Sequence, residues 1–418
     1  AYSHFCLTML YCLPYHPEKS GEYLGVPYME APETTLNPVY HRDNLKEVYE
    51  KIDRDIEEAL PLVSDVNYAV PQYHFNRSAA YAFATRFNLY YLKWEKVVEY
   101  ASEVLGSAPS TVMRDWVKQL AWDGSVRTLD YISVGHSFNL LMIPMVTGNG
   151  SLFNAWSNSG ARFTHNYRVA KRETYRAKRP MGGPWDRWKD NCIEKVYQHP
   201  PFIWQDNDVN KIYMPKWPNQ WEVTDPVTGV GIGRSTMVAF TTNETVLSRA
   251  EAYVHLKEYD KAVADLNAWI GSFYLVGQNG IESLTRERIA EVYGDPSSDR
   301  YIAEYTALEP TSRKPLHPHG FTVEAGEQEH LIQTTLFCRR IETIADGLRW
   351  GDIKRYGIVI DRFDDSAYND DNTTGFTVAA TLGEKDLRRA LQLPQEVITA
   401  GLEANPRNEN RPDHPFCQ

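Results

Sequence analysis

Apolar residues return at Leu45, Val48, Tyr49, Ile52, Ile56, Ala59, Leu60 and Val63. That is the spacing of one helix face, so Asp43 to Val63 reads as an amphipathic helix. Asp43 is placed to cap it, and Glu47 with Lys51 and Glu50 with Arg54 are spaced for i,i+4 ion pairs. Two later segments repeat one another. Asn76 can cap a helix carrying Ala79, Ala80, Phe83, Ala84, Phe87 and Tyr90, and a turn at Lys93-Trp94 leads to Val97, Val98, Ala101, Val104 and Leu105. From near Asn243 the chain carries Leu247, Ala250, Ala252, Tyr253 and Leu256, turns at Lys257-Glu258-Tyr259, and resumes with Ala262, Val263, Leu266 and Ile270.

The two turns align as Trp94-Glu95-Lys96-Val97 against Tyr259-Asp260-Lys261-Ala262. An aromatic residue at the turn, with small residues along the first helix, is how a tetratricopeptide hairpin closes tightly. No single hairpin covers its own apolar face, so neighbours must stack. Residues 1–107 and 243–357 are thus expected to form a helical scaffold. Between them, 108–242 lose the helical period and are rich in Gly, Pro, Asn and Trp; only Thr111 to Trp122 and parts of 129–146 look helical. An irregular insertion this long inside a compact protein is more often functional than passive. Residues 358–418 read as an irregular C-terminal segment.

Of the 11 Trp in the chain, Trp116, Trp122, Trp156, Trp185, Trp188, Trp204, Trp217 and Trp221 fall in that insertion. Flat aromatic faces stack on sugar rings or peptide side chains, while neighbouring Asn, Asp and Arg orient the ligand. Trp185 and Trp188 bracket Asp186 and Arg187, and Trp217 and Trp221 flank Asn219 and Gln220. The alternative is that the rings supply the local core of a segment poor in aliphatics. The net charge of −11 argues against a nucleic-acid partner, which needs a basic face. The 5 Cys are scattered without a C-x-x-C pair, which disfavours a disulfide framework or zinc ribbon. No run is long enough to span a membrane as a helix. The chain opens inside an amphipathic pattern with no charged leader, so it reads as a fragment lacking its natural N-terminus.

Nothing nominates catalytic residues. Glu327-x-x-His330 occurs once, without the second pair a di-iron bundle would use. His317 and His319 lack a third ligand in view. The acidic stretch from Asp361 to Asp371 lacks the order of an EF-hand, so a solvated loop is preferred to a calcium site. Gly229-Val230-Gly231-Ile232-Gly233 is not followed by a phosphate-binding helix, and a β-turn or hairpin is its ordinary explanation. No cofactor and no metal are expected.

The most specific stretch runs from Arg339-Arg340 through Glu342, Asp346-Gly347, Arg349, Asp352-Ile353 and Arg355 to Gly357. Physics alone gives an amphipathic helix with surface ion pairs, Arg349 meeting Asp352 at i,i+3. The order of residues resembles the RR-x-E-x-A-x-(E/D)-G-x-R-x-x-D-(L/I)-x-R segment of the SusD/RagB family. The helix at 43–63, the Val26-Pro27 loop and the tail Leu391-Gln392-Leu393-Pro394-Gln395-Glu396, with Asn405-Pro406, resemble further elements of that family. The usual ending of its tail is replaced by Asn408-Glu409-Asn410-Arg411-Pro412.

The resemblance implies a mainly α, SusD-like fold of tetratricopeptide-type hairpins with a large irregular insertion, in one domain over 1–418. It further implies a non-catalytic, surface-exposed outer-membrane lipoprotein, held by a lipid anchor on the missing N-terminus. Such a protein captures glycan oligomers for a SusC-like TonB-dependent transporter; some relatives take peptides. Aromatic clustering then nominates Trp156, Trp185, Trp188, Trp204, Trp217 and Trp221 as the ligand face. A glycan-degrading enzyme and a tetratricopeptide adaptor are the rival readings, the first requiring a carboxylate pair in a cleft.

Overall fold

The computed structural model describes residues 1–34, 38–116, 124–154, 165, 167–175, 177–183, 202–203, 212–213, 216–278, 280–363 and 377–417. Among them the chain is mainly helical. In order come α1 (Tyr2–Tyr11), α2 (Leu45–Ala59), α3 (Arg77–Tyr90), α4 (Trp94–Leu105), α5 (Gly124–Tyr131), α6 (Asn149–Asn154) and α7 (Tyr167–Glu173). They are followed by α8 (Thr242–His255), α9 (Tyr259–Phe273), α10 (Arg286–Gly294), α11 (Glu327–Glu342), α12 (Arg349–Arg355) and α13 (Gln395–Thr399). Strands β1 (Asn139–Val146), β4 (Gln220–Asp225) and β5 (Val230–Thr241) make an antiparallel sheet in the order β1-β5-β4. Two short pairs complete the described strands, β2 (Phe202–Ile203) with β3 (Ile212–Tyr213) and β6 (Ile360–Phe363) with β7 (Val378–Leu382).

The hairpins α3–α4 and α8–α9 close in the same way. Leu92 and Lys257 take positive φ of 63° and 60°. The next amides, Lys93 and Glu258, reach back to the carbonyls of Asn88 and Tyr253 at 3.0 and 2.8 Å. This is the long reach of a Schellman turn, which satisfies carbonyls that a helix end leaves open. Each positive-φ residue stands two positions before the turn aromatic, so the repeat expected from sequence is matched in the backbone.

Helix α8 is the hub. It packs against α3, α4, α9 and α11 and is buried on nearly every side. Its apolar residues serve both halves of the core: Ala252 joins the cluster of α1 to α4, and Val246, Leu247, Ala250 and Val254 join the cluster of α9 to α11. A helix buried all round cannot carry unpaired charges, and its three charged residues each reach a different neighbour. Glu244 meets Arg86 of α3 at 2.8 Å, Arg249 meets Asp265 of α9 at 2.8 Å, and Glu251 meets Arg355 of α12.

The cap of α2 is Asn44, whose side chain accepts from the amide of Glu47, and not Asp43. Asp43 instead pairs with Lys51 at 2.7 Å, and Arg54 reaches Glu30, so neither expected i,i+4 pair forms. Residues 139–146, read as partly helical, form β1. Its apolar run fits either a buried helix or a strand by composition, and Pro144 removes the amide a helix interior would need. Residues 360–363 and 378–382, read as irregular, pair as β6 and β7. The Gly-rich stretch is a hairpin as expected, with Asp225 paired to Val230 across its turn. The tail is tied down by Asn405, which donates to the carbonyls of Tyr11 and Leu391 and accepts from Arg42 at 2.8 Å.

Asn76 does cap α3, accepting from the amide of Ala79 at 2.9 Å, and its amide group also donates to the carbonyl of Leu140 on β1 at 2.7 Å. One side chain thus starts a helix and binds the sheet. Asn76→Ala removes both bonds and strands the Leu140 carbonyl, so a loss of about 2 kcal/mol is expected in urea denaturation.

Candidate functional site

The segment from Arg339 to Gly357 is not one surface helix. Ala345 and Gly347 take φ of 67° and 80° and break it into α11 and α12. This folds Arg355 and Asp352 back against Arg339, and all three are buried. Arg355 donates to both oxygens of Glu251, at 2.7 Å to Oε2, and to Asp352 Oδ1 at 2.7 Å. Arg339 lies 3.3 Å from Asp352 and 3.6 Å from Glu251, and the Tyr356 hydroxyl donates to Glu251 at 2.7 Å. Two guanidinium groups and two carboxylates therefore balance. Burial pushes both carboxyls up, but Arg355 and Arg339 outweigh it and hold Glu251 and Asp352 below their ordinary values. Asp352 is taken by Arg339 and Arg355, not by Arg349, and the surface pairs expected from spacing are a buried network.

The break between α11 and α12 is also where the insertion docks. Lys216 donates to the carbonyl of Glu342 and to Asp346 at 2.7 Å. Trp217 donates its indole N–H to the carbonyl of Ala345 at 3.1 Å and lies 6.1 Å from the Phe153 ring. Pro218 and Asn219 pass so close to Gly150 that a Cβ there would lie 2.3 Å from the Pro218 carbonyl oxygen. Ser235 donates to that same carbonyl at 2.8 Å. Residues 216–219 are thereby clamped, and β4 leaves the clamp at Gln220.

Trp221 is the second residue out. It is 62% exposed, against 5% for Trp217. Strand alternation puts Trp221 and Val223 on the same face as Gly231 and Gly233 of β5, with Trp221 opposite Gly233 and Val223 opposite Gly231. A Cβ on Gly231 would fall 2.7 Å from the Trp221 Nε1 and 2.3 Å from the Glu222 carbonyl oxygen. The indole therefore lies over bare backbone, supported from below and open above. Glu222 and Arg234 pair with each other on the opposite face of the same two strands. A flat ring fixed at its base and facing solvent is suited to stacking on a sugar ring.

Of the six tryptophans nominated from sequence, Trp217 and Trp221 are described. Trp217 is packed with its N–H already bonded, so its part is to anchor the platform. Trp156, Trp185, Trp188 and Trp204 lie outside the described residues. Sequence reasoning took Gly231 only as part of a hairpin and not as the bed of the Trp221 ring. The signal was present: a glycine inside a strand marks a place where another group approaches the backbone closely.

The metal candidates are occupied otherwise. Glu327 holds Arg286, His317 sits 2.9 Å from Glu384, and burial pushes His319 down to about 4. Among the described residues no group of three or more His, Cys, Asp or Glu could hold a metal ion. Cys6, Cys12, Cys338 and Cys417 are free thiols. No described helix is long and apolar enough to cross a membrane.

Residues 1–89 match the SusD-like family model described as starch-binding associating with outer membrane. Solved SusD superfamily proteins share the architecture. One from Bacteroides thetaiotaomicron superposes with a TM-score of 0.57 at 17% identity, over 97% of this chain and 76% of its own. The fold is SusD-like. A second, from Bacteroides fragilis, matches at 0.53 and 17% identity, over 96% of this chain and 72% of its own. A third, from Bacteroides vulgatus, matches at 0.51 and 17% identity, over 97% and 74%. No curated protein sequence matches.

Proposed function

We propose that this SusD-like protein captures glycan oligomers at the outer surface of a Gram-negative cell and passes them to a TonB-dependent transporter, without acting on them chemically. The observation that carries the reading is the exposed Trp221 ring on its glycine bed, projecting from a scaffold whose N-terminal part matches a starch-binding family. A stacking platform binds a sugar by its apolar face and needs no nucleophile or acid beside it. The acidic net charge of −11 is compatible with neutral glycans and unsuited to polyanions such as nucleic acid.

The test is calorimetry and affinity electrophoresis of the chain against neutral polysaccharides, acidic polysaccharides and oligopeptides, with chromatography of the ligand afterwards. Saturable binding of a glycan recovered intact is the expected result. Shortened glycan products would overturn the non-catalytic reading. Binding of peptides alone would overturn the glycan assignment in favour of peptide uptake.

A further inference from the structure

The charge balance met around Arg355 fails one turn away. Glu173, at the end of α7, presents a single oxygen to two cations, the Lys314 ammonium and the Arg340 guanidinium, each at 2.8 Å. Arg349 at the start of α12 feels the same cluster, repelled by Arg340 and attracted by Asp352 and Glu173. Its expected partner, Asp352, is already held by Arg339 and Arg355. The Nη1 of Arg349 is buried and has no hydrogen-bond partner among the described residues. The nearby Asp361 accepts from the Tyr305 hydroxyl at 3.0 Å, while the Tyr305 ring lies under Lys314.

Two cations thus share one carboxylate oxygen, and a third carries an N–H with nothing to bond. Like charges this close in a partly dry seam repel strongly, and an unsatisfied guanidinium N–H loses its hydration without a replacement. The consequences are visible in the ionisation of both outlying groups. Burial, with Arg340 adding to it, pushes Arg349 down to about 9; burial, then the nearby Arg340 and Arg349, pushes Lys314 down to about 7 despite Glu173. One bound anion would answer both defects, since an oxyanion accepts from the guanidinium fork and offsets the surplus charge.

We infer that the seam between α7, α11 and α12 is an oxyanion-binding site in which Arg349, with Arg340 and Lys314 around it, receives a carboxylate or sulfate group. Nothing in this site needs the Trp221 platform, so the inference stands apart from glycan capture. The oxyanion has two sources with the same chemistry, a free ion such as sulfate or acetate and the acidic group of a uronic-acid sugar. Helix α7 belongs to the Trp-rich insertion and α11 and α12 to the scaffold, so an anion there would join the two.

The test uses the whole chain at constant ionic strength, set with an inert salt. Sulfate, acetate and glucuronate are titrated while the thermal midpoint is followed, and oligoglucuronate and a neutral oligosaccharide of equal length are compared by calorimetry. The expected result is a saturable, anion-dependent rise in the midpoint that is lost in Arg349→Gln. Affinity in that variant should fall by about tenfold or more, the equivalent of one charge-assisted bond. Arg349→Lys, which keeps the charge without the fork, should retain part of the response. Saturation by sulfate or acetate identifies a free ion; a preference for oligoglucuronate over its neutral counterpart, abolished by Arg349→Gln, identifies the sugar acid. A midpoint that follows ionic strength alone, or an Arg349→Gln response equal to the parent's, would overturn the site.

Discussion

Arg355→Met is expected to cost about 3–5 kcal/mol of folding stability, the range for removing one partner from a buried ion network. The methionine occupies similar volume, so the loss comes from charge and not from a cavity. It deprives Glu251 of two hydrogen bonds and Asp352 of two more. Arg339 is then the only guanidinium in contact with both carboxylates in a place water does not reach. Denaturant titration at neutral pH checks the magnitude. Lys51→Met is the control: the Lys51–Asp43 pair is partly exposed and should be worth at most about 1 kcal/mol.

The pH profile gives an independent check with a defined sign. Glu251 and Asp352 ionise below their ordinary values of 4.5 and 3.8 in the folded chain. The unfolded chain therefore takes up protons first as pH falls. Their contribution is complete above about pH 5 and is lost as pH drops through 4 and below. In Arg355→Met the carboxyls lose the charge that holds them down, so the plateau drops and the acid limb becomes shallower. An acid limb identical to the parent's would show that the network is not what sets it.

Trp221→Ala is expected to weaken glycan binding by about thirtyfold, or roughly 2 kcal/mol, as for an aromatic anchor at the centre of a binding surface. Stability should change by less than about 0.5 kcal/mol, because the ring is mostly exposed and fills no core. Calorimetry and denaturant titration on the same preparation separate the two effects. The contrast is Trp217→Ala. That ring is buried against Phe153 and bonded to Ala345, so its removal should destabilise the chain by about 3 kcal/mol through lost packing. Unchanged binding in Trp221→Ala would remove the platform from the proposed site.

Much of the scaffold was legible because it is written locally. A helix face repeats within four residues, and a capping side chain such as Asn76 acts three residues ahead. The equivalent turns at Leu92 and Lys257 could be aligned from their aromatics alone. The strand at 139–146 was not, since its continuous apolar run fits a buried helix or a strand equally, and its partner β5 begins more than eighty residues later in the sequence. The hairpin at Gly229 was legible from its glycines, but the indole resting on them was not, because cross-strand register decides which residue faces which.

The charged residues show the same division more sharply. Sequence spacing offered Arg349 to Asp352 and Glu47 to Lys51, and the chain uses neither. Two positive φ values between Ala345 and Gly347 redirect α12, after which Asp352 meets Arg339, thirteen residues away, and Glu251, about a hundred residues away, meets Arg355. The sequence by itself determined the two hairpins with their turns, the Asn76 cap and the resemblance to a SusD-like chain, all carried by neighbours in the chain. Only the tertiary structure decided which ions are buried together, that Trp217 anchors while Trp221 faces solvent, and that the Nη1 of Arg349 has no hydrogen-bond partner among the described residues. Those outcomes depend on burial and on contacts between distant segments, and periodicity along the chain carries no information about either.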